Sequence, residues 1–292
     1  MILVTGASSS PGFKILERLR REGWEVLGIY NQHPVEGAVQ WDLAKDPVGV
    51  LERFSPDAVV HAAALGDVDR CEVEPALCYR VNAVTTREIA RWCSKRGAAL
   101  VYLSTDYVFP GDRGSYREED PPRPVNYYGL TKLLGEEAAL AAGGAVVRVA
   151  WIYGFGPGRQ NFGRTVVEKL SRGEEVRAVV DQWGSPTLNT LIAEVVAKVL
   201  EKSISGILHA AGPRLSRYEF ALAIAEAFGF SKELVKPIKA ADLSFKAPRP
   251  RDSSLDSSLA VSTLGVPVND IRYALSIFKK EWEEGRHADG RG

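Results

Sequence analysis

The chain opens Met1-Ile2-Leu3-Val4-Thr5-Gly6-Ala7-Ser8-Ser9-Ser10-Pro11-Gly12, and the reading of this stretch decides the fold. Met1 to Thr5 is a short apolar run, the pattern of a strand buried on both faces. Small residues follow to Gly12, and Phe13 to Glu22 then has helical spacing at Ile15, Leu16 and Leu19. In a strand, small-residue loop and helix, backbone N–H groups and the helix N-terminus can face a pyrophosphate. A plain tight turn is the competing reading. Ser10 is expected to cap the helix, and Pro11 suits the first turn, where its missing N–H is no loss. The candidate phosphate-loop residues are Gly6, Ser8, Ser9, Ser10, Pro11 and Gly12.

Moving outward, strand and helix patterns alternate. A second strand is expected over Trp24–Tyr30 and a short third over Gln40–Leu43, where Asp42 either meets the adenine or caps the segment from Ala44. The fourth, Asp57–Ala64, ends on Ala62, Ala63 and Ala64, small enough for a ligand to lie against the backbone. A helical region from Asp69 to Arg96 is interrupted near Pro75 and carries Asn82, whose role is either structural or catalytic. A fifth strand, Ala98–Leu103, leads into Ser104-Thr105-Asp106-Tyr107. A helix over Tyr128–Leu140 and a sixth strand, Ala145–Ala150, complete the pattern. Such alternation predicts an α/β doubly wound parallel sheet, the Rossmann architecture, with ligands at the carboxyl ends of the strands. The expected organisation is a dinucleotide-binding domain over 1–150 and a smaller C-terminal substrate-binding lobe over 151–283. Some lobe segments are free to return to the sheet. A flexible polar tail is expected over 284–292.

An NAD-selective fold usually ends its second strand on a carboxylate for the ribose 2′-hydroxyl. Here Tyr30, Asn31 and Gln32 are uncharged, which leans toward NADP(H) over NAD(H). The chemistry is expected within Asn126-Tyr127-Tyr128-Gly129-Leu130-Thr131-Lys132. In a helix, Tyr128 and Lys132 share one face, one turn apart. A phenol near an ammonium is expected to have its proton affinity lowered, and it can protonate the alkoxide formed by carbonyl reduction. The pair alone is a weak signal.

Composition limits the alternatives. Lys+Arg and Asp+Glu are 37 each, so there is no basic excess of the kind nucleic-acid binders use. No apolar run reaches the length of a membrane span, and the strand-like start at Met1 leaves no room for a signal peptide. The three cysteines, Cys71, Cys78 and Cys93, are expected to be free and buried, in the cytoplasm.

Several longer motifs carry more weight. They include Ala62-Ala63-Ala64 with Val68-Asp69 and Glu74-Pro75, then Ser104-Thr105-Asp106-Tyr107-Val108-Phe109-Pro110-Gly111. Tyr128-Gly129 with Thr131-Lys132-Leu133 and Gly135-Glu136, Trp151-Ile152-Tyr153 and Asn161-Phe162 follow. Asp181-Gln182 with Gly184, Pro186-Thr187, and Arg249-Pro250 with Ser253 and Leu255 complete the set. On these the chain resembles the extended short-chain dehydrogenase/reductase superfamily, and within it the dTDP-4-dehydrorhamnose reductases, over about residues 1 to 280. The resemblance implies NAD(P)H-dependent reduction of a 4-keto-6-deoxy sugar attached to a nucleotide diphosphate.

Carried over residue by residue, it makes Tyr128 the proton donor and Lys132 the holder of the nicotinamide ribose. Thr105 would hydrogen-bond the reacting oxygen. Gly6 and Gly12 would flank the pyrophosphate, within a cofactor set that also takes Tyr30, Asn31, Asp42, Leu43, Ala62, Ala63, Ala64 and Asn82. Substrate contacts would fall on Thr105, Asp106, Trp151, Asn161 and Arg249, with Trp151 packed on the sugar and Arg249, in the second lobe, the candidate for the nucleotide diphosphate. No metal site maps onto this chain, and a homodimer stays open. Ser9 replaces the middle glycine of the superfamily's loop. Either it is extended with its hydroxyl toward a phosphate, or the loop holds the cofactor less closely. Tyr107 follows Asp106 where related dehydratases have a glutamate, which argues against water elimination because a phenol is a poor base at neutral pH. Four-epimerases and sugar dehydrogenases remain open. A relative of this family is the regulatory subunit of methionine adenosyltransferase, and a binding module of that kind is the alternative outside enzymes.

Overall fold

The computed structural model describes residues 1–288. In chain order the first half runs β1 (Ile2–Thr5), α1 (Ser10–Arg21), β2 (Val26–Tyr30), β3 (Ala38–Gln40), α2 (Gly49–Phe54) and β4 (Ala58–His61). It continues through α3 (Val68–Val73), α4 (Pro75–Tyr79), a π-helical turn Arg80–Val84 and α5 (Thr85–Arg96). Next come β5 (Ala99–Thr105), α6 (Tyr127–Ala141) and β6 (Ala145–Val149). The second half contains β7 (Ile152–Tyr153), α7 (Phe162–Leu170), β8 (Val176–Val179), β9 (Trp183–Gly184), β10 (Thr187–Leu188) and α8 (Asn189–Glu201). β11 (Gly206–His209), β12 (Leu215–Ser216), α9 (Arg217–Phe228), β13 (Val235–Ile238), α10 (Ser258–Leu264) and α11 (Ile271–Ala288) follow.

Seven strands form one parallel sheet in the order β11-β6-β5-β4-β1-β2-β3. Each central strand feeds both faces, because successive side chains alternate. Val4, Val60, Val101 and Val147 meet Ile15 of α1 and Leu191 of α8 on one side. Leu3, Val59, Tyr102 and Val146 meet Leu51, Ile89 and Trp92 on the other. The apolar runs of the sequence are apolar because both faces are covered.

Three expectations need correction. The third strand is Ala38–Gln40, so Trp41, Asp42 and Leu43 lie beyond its end, where the chain turns into hydrogen bonds from Lys45 and Asp46 to the Asp42 carbonyl. The expected tail is helical as far as Ala288, since α11 continues past Glu284, and residues 289–292 lie outside the described residues. Cys71 and Cys78 are bonded to each other, because α3 and α4 fold back at Glu74-Pro75 and bring their Cα atoms to 5.1 Å. Cys93 remains a free thiol, and burial pushes it up to about 12.

The second half does not stand apart from the sheet. β11 pairs with β6 as the seventh strand, and α8 packs on α1. The remaining elements of that half extend the same core, where Tyr153, Phe155, Phe220 and Phe278 cluster with ring centroids 4.7–5.1 Å apart. No helix among the described residues is long and apolar enough to cross a membrane.

One buried ion pair joins the layers. Arg148 on β6 donates to both oxygens of Glu136 on α6, at 2.9 and 2.8 Å, and each residue is 1% exposed. Ser104 of β5 donates to the same carboxylate at 2.5 Å. His209 of β11 lies 3.2 Å from the guanidinium, and the His is held neutral, near 3, by burial and the Arg148 charge. Arg148→Met leaves Glu136 buried without its cation, which is expected to cost about 3–5 kcal/mol in denaturant unfolding. A loss within the range of exposed pairs, below ~1 kcal/mol, contradicts this role. Thiol titration of the protein unfolded without reductant is expected to find one of the three cysteines reactive; three reactive thiols would remove the bridge.

Candidate active site

Strand order reverses between β1 and β4, and the crevice outside their carboxyl ends is where this architecture takes ligands. The glycine loop lies there. Gly6 has φ +68°, and a Cβ on it would fall 2.7 Å from Ala63 N; one on Gly12 would fall 2.2 Å from the Gly6 carbonyl. Both positions need glycine, and the close approach seats the α1 N-terminus beside Ala62 and Ala63. Ser9, not Ser10, caps α1. It is extended (φ −82°, ψ 155°), and its hydroxyl accepts from Gly12 N at 3.2 Å. The two readings of Ser9 thus resolve into an extended residue whose hydroxyl faces the helix it caps. Ser10 begins the helix and its hydroxyl accepts from Asn189 at 2.8 Å, while Pro11 sits in the first turn. The segment from Gly154 to Gln160 crosses above, with Gly158 against Ser8 and Ser10, and Arg159 paired with Asp67 at 3.1 Å.

The adenine side is simpler. Tyr30 ends β2, and Asn31 follows with its carbonyl accepting from Gln40 at 2.9 Å. Asp42 accepts from Ala44 N at 3.1 Å, so it serves as a local cap. Leu43 is core, and its carbonyl accepts from Thr85. Asn82 is 1% exposed and fully engaged. It exchanges hydrogen bonds with the Leu65 backbone (2.8 and 3.2 Å) and donates to Thr131 at 3.2 Å. It therefore ties the loop that continues from Ala64 to helix α6. His61, beneath this loop, bridges Thr5 (2.7 Å) and Thr86 (3.1 Å), and is held neutral, near 3, by burial and the Lys132 charge.

Thr105, Tyr128 and Lys132 come together at the carboxyl end of β5. Asn126 caps α6 through Gly129 N at 2.8 Å, which starts the helix so that Tyr128 and Lys132 project to one side. A Cβ on Gly129 would lie 2.1 Å from the Tyr107 carbonyl, so only glycine lets the helix dock here. Lys132, 3% exposed, donates to the Leu103 carbonyl at 2.7 Å and sits 4.1 Å from the centroid of the Tyr102 ring. Burial brings its pKa down to about 7, and Glu136 one turn on opposes that. The expected lowering of the Tyr128 phenol by Lys132 does not occur. Burial dominates and raises the phenol above its ordinary range, Asp106 and Tyr107 add to this, and only the Thr105 hydrogen bond opposes it. The phenol keeps its proton at neutral pH, as a donor must.

Asp106 is 2% exposed and pushed up to about 6 by burial; it accepts from Thr105 at 3.1 Å and from Ser253. Asn161 caps α7 through Arg164 N and donates to the Gly154 carbonyl, so both ends of its amide are engaged. Arg249 pairs with Asp69 at 2.9 Å and lies over Phe245. Trp151 has φ +38°, a strained conformation for a bulky residue, and Gly184 packs so closely that a Cβ there would lie 2.4 Å from the indole. The Arg217 guanidinium lies over the Trp151 ring at 3.9 Å. Sequence reading missed Arg217. Ser216-Arg217-Tyr218-Glu219 is a capping-box pattern that signals a helix start, but nothing in it says which way the arginine points.

With this geometry in view, the comparisons are specific. The family described as "RmlD substrate binding domain" matches residues 1–283. A dTDP-4-dehydrorhamnose reductase of Mycobacterium tuberculosis is 36% identical, covering 88% of this chain and 84% of its own. Methionine adenosyltransferase 2 subunit beta of Pongo abelii is 32% identical, covering 91% of this chain and 82% of its own. The crystal structure of a dTDP-4-dehydrorhamnose reductase from Bacillus anthracis, in complex with NADP, superposes with a TM-score of 0.85 at 29% identity, covering 96% and 98% of the two chains. The chain belongs to the RmlD substrate-binding-domain family, the dTDP-4-dehydrorhamnose reductase family of the extended short-chain dehydrogenase/reductases.

Proposed function

We propose that this protein is an oxidoreductase that reduces the C4 keto group of a nucleotide-diphosphate 4-keto-6-deoxy sugar, with dTDP-4-dehydrorhamnose giving dTDP-rhamnose as the reaction. The observation that carries the reading is the meeting of Thr105, a protonated Tyr128 and buried Lys132 at the edge of β5, beside the glycine loop. The residues fit a dinucleotide: Gly6 and Gly12 leave no side chain between the loop and its neighbours, and Ala62 to Ala64 continue the small-residue lining. A bound nicotinamide cofactor supplies hydride. NADPH is the preferred form, because β2 ends on Tyr30 and Asn31 without a carboxylate, and the Bacillus anthracis relative was solved with NADP. The organisation that serves this chemistry is a cofactor-binding half over 1–150 and a substrate-facing half over 151–283, with β11 belonging to the sheet.

In the chain's own terms, Tyr128 gives its proton to the new alkoxide, and its burial makes the phenol hold that proton until negative charge appears on the substrate. The Thr105 hydroxyl hydrogen-bonds the phenol and is placed to share the reacting oxygen. Lys132 orients the nicotinamide ribose and offsets the charge on the phenolate left behind. Asp106, engaged by Thr105 and Ser253, fixes the Thr105 hydroxyl.

An assay of NADPH and NADH oxidation with dTDP-4-keto-6-deoxy sugars generated in situ tests the reading. Turnover faster with NADPH is expected, and Tyr128→Phe should lower kcat ~10²-fold or more with dinucleotide affinity unchanged. A Phe variant of normal speed removes Tyr128 from the mechanism. NADPH affinity is expected to be steady below about 7 and to fall as pH rises through that value, because Lys132 loses its charge there. Lys132→Met should flatten the profile; a profile unchanged in the variant assigns the titration elsewhere. The second reading, a regulatory dinucleotide-binding subunit, draws on the identity with methionine adenosyltransferase 2 subunit beta. Recovery of a methionine adenosyltransferase in a pull-down, with no NADPH oxidation on keto sugars, puts it first.

A further inference from the structure

Asn189 is the first residue of α8, and no part of it reaches solvent. Its Nδ2 donates to the Ser10 hydroxyl at 2.8 Å and to the Phe155 carbonyl at 2.9 Å. A carbonyl can only accept, so the Phe155 bond fixes which end of the amide is nitrogen. The other N–H of that nitrogen then makes the Ser10 oxygen an acceptor. A serine hydroxyl has one proton to give as well. For Ser10 that proton meets no acceptor among the described residues. An O–H is repelled by an N–H pointing at its own oxygen, so the proton turns away from the buried amide. Room for the amide comes from Gly154, where a Cβ would fall 2.0 Å from Asn189 Oδ1.

The same side chain holds two segments in register. Ser10 opens α1 at the glycine loop, and Phe155 belongs to the segment from Gly154 to Gln160 that crosses above it. The crossing is close: a Cβ on Gly158 would fall 3.1 Å from the Ser8 carbonyl and 3.2 Å from Ser10 N. The next residue of α8 fastens α1 one turn further on. Thr190 donates to Glu281 Oε1 at 2.6 Å, and Lys14 donates to the same oxygen at 3.1 Å. We propose that Asn189 is a positioning residue for the dinucleotide. By occupying the Ser10 oxygen it presents the hydroxyl proton to a pyrophosphate oxygen, and by holding the Phe155 carbonyl it sets the height of the segment above. A hydroxyl donating to an ionised phosphate makes one of the stronger hydrogen bonds, so its direction matters to affinity. The proposal rests on the dinucleotide reading of the glycine loop and is independent of which sugar is reduced.

The test is fluorescence titration of NADPH into the wild type, Ser10→Ala, Asn189→Ala and the double variant. Adenosine 2′-monophosphate, which has the adenine end without the pyrophosphate, is the second probe. Each single variant is expected to weaken NADPH binding by about tenfold, the size of one lost hydrogen bond to a charged group. Binding of adenosine 2′-monophosphate should be unchanged, which also reports a folded protein. The loss in the double variant should be well below the product of the single losses, because without the hydroxyl Asn189 has nothing there to orient. In turnover the change should appear in the KM for NADPH, with the KM for the keto-sugar nucleotide unmoved. NADPH affinity equal to wild type in Ser10→Ala overturns the proposal, even where Asn189→Ala does not fold. Equal losses for the two probes, or single losses that multiply in the double variant, make Asn189 a packing residue and overturn it too. If the wild type reduces no keto sugar but its NADPH affinity depends on Asn189 and Ser10 in this coupled way, the reductase reading fails and the positioning role stands.

Discussion

The close seating of helix α6 against β5 is the constraint on which the site depends. Two glycines permit it: a Cβ on Gly129 would fall 2.1 Å from the Tyr107 carbonyl, and one on Gly135 2.4 Å from the Tyr102 hydroxyl. Between them lies Lys132, pressed against the Tyr102 ring and the Leu103 carbonyl. One turn beyond, Glu136 is locked to Arg148. Tyr128, Lys132 and Glu136 follow each other at intervals of four, so one helical face carries the donor, its cation and the anchor that fixes both.

Desolvation sets the electrostatics that result. It raises the Tyr128 phenol, lowers Lys132 to about 7 and Arg217 to about 10, and raises Asp106 to about 6. Each shift favours the neutral form, as expected where charged groups are withdrawn from water before the ligands that complement them are bound. A phenol that keeps its proton suits a reductase, whose reaction creates an alkoxide. The shifts also explain why the phenol is an acid here without being a strong one.

The second half of the chain is tied to the first by specific contacts while remaining continuous with the sheet. Asp181 accepts from Ala240 N, Gln182 donates to the Pro250 carbonyl, and Gly184 makes room for Trp151. Thr187 donates to the Ser185 carbonyl and accepts from Gly212 N. Ser253, from the Arg249-Pro250 segment, reaches Asp106 on the first half. These motifs hold together segments far apart in sequence, so they read as spaced polar residues and glycines in place of a single run.

The sequence by itself determined what local periodicity encodes. Apolar runs with small-residue loops gave the parallel sheet, and the interval of four gave the shared face of Tyr128 and Lys132. Gly6 and Gly12 are legible because a tight strand-to-helix turn needs them whatever surrounds it. The motif set gave the family, because it samples many such positions at once. Tertiary structure alone decided the rest. The direction of the Tyr128 shift follows from burial, and spacing carries no measure of burial. The Cys71–Cys78 bridge follows from how α3 folds back on α4, and Ser9 displaced Ser10 as the cap because the helix begins at Ser10, one residue earlier than the cap rule placed it. Arg217 lies over Trp151 and Phe162 because α9 starts beside these segments, which are more than fifty residues upstream. Contacts across such separations depend on how the elements pack, and one-dimensional patterns record only which faces must be covered.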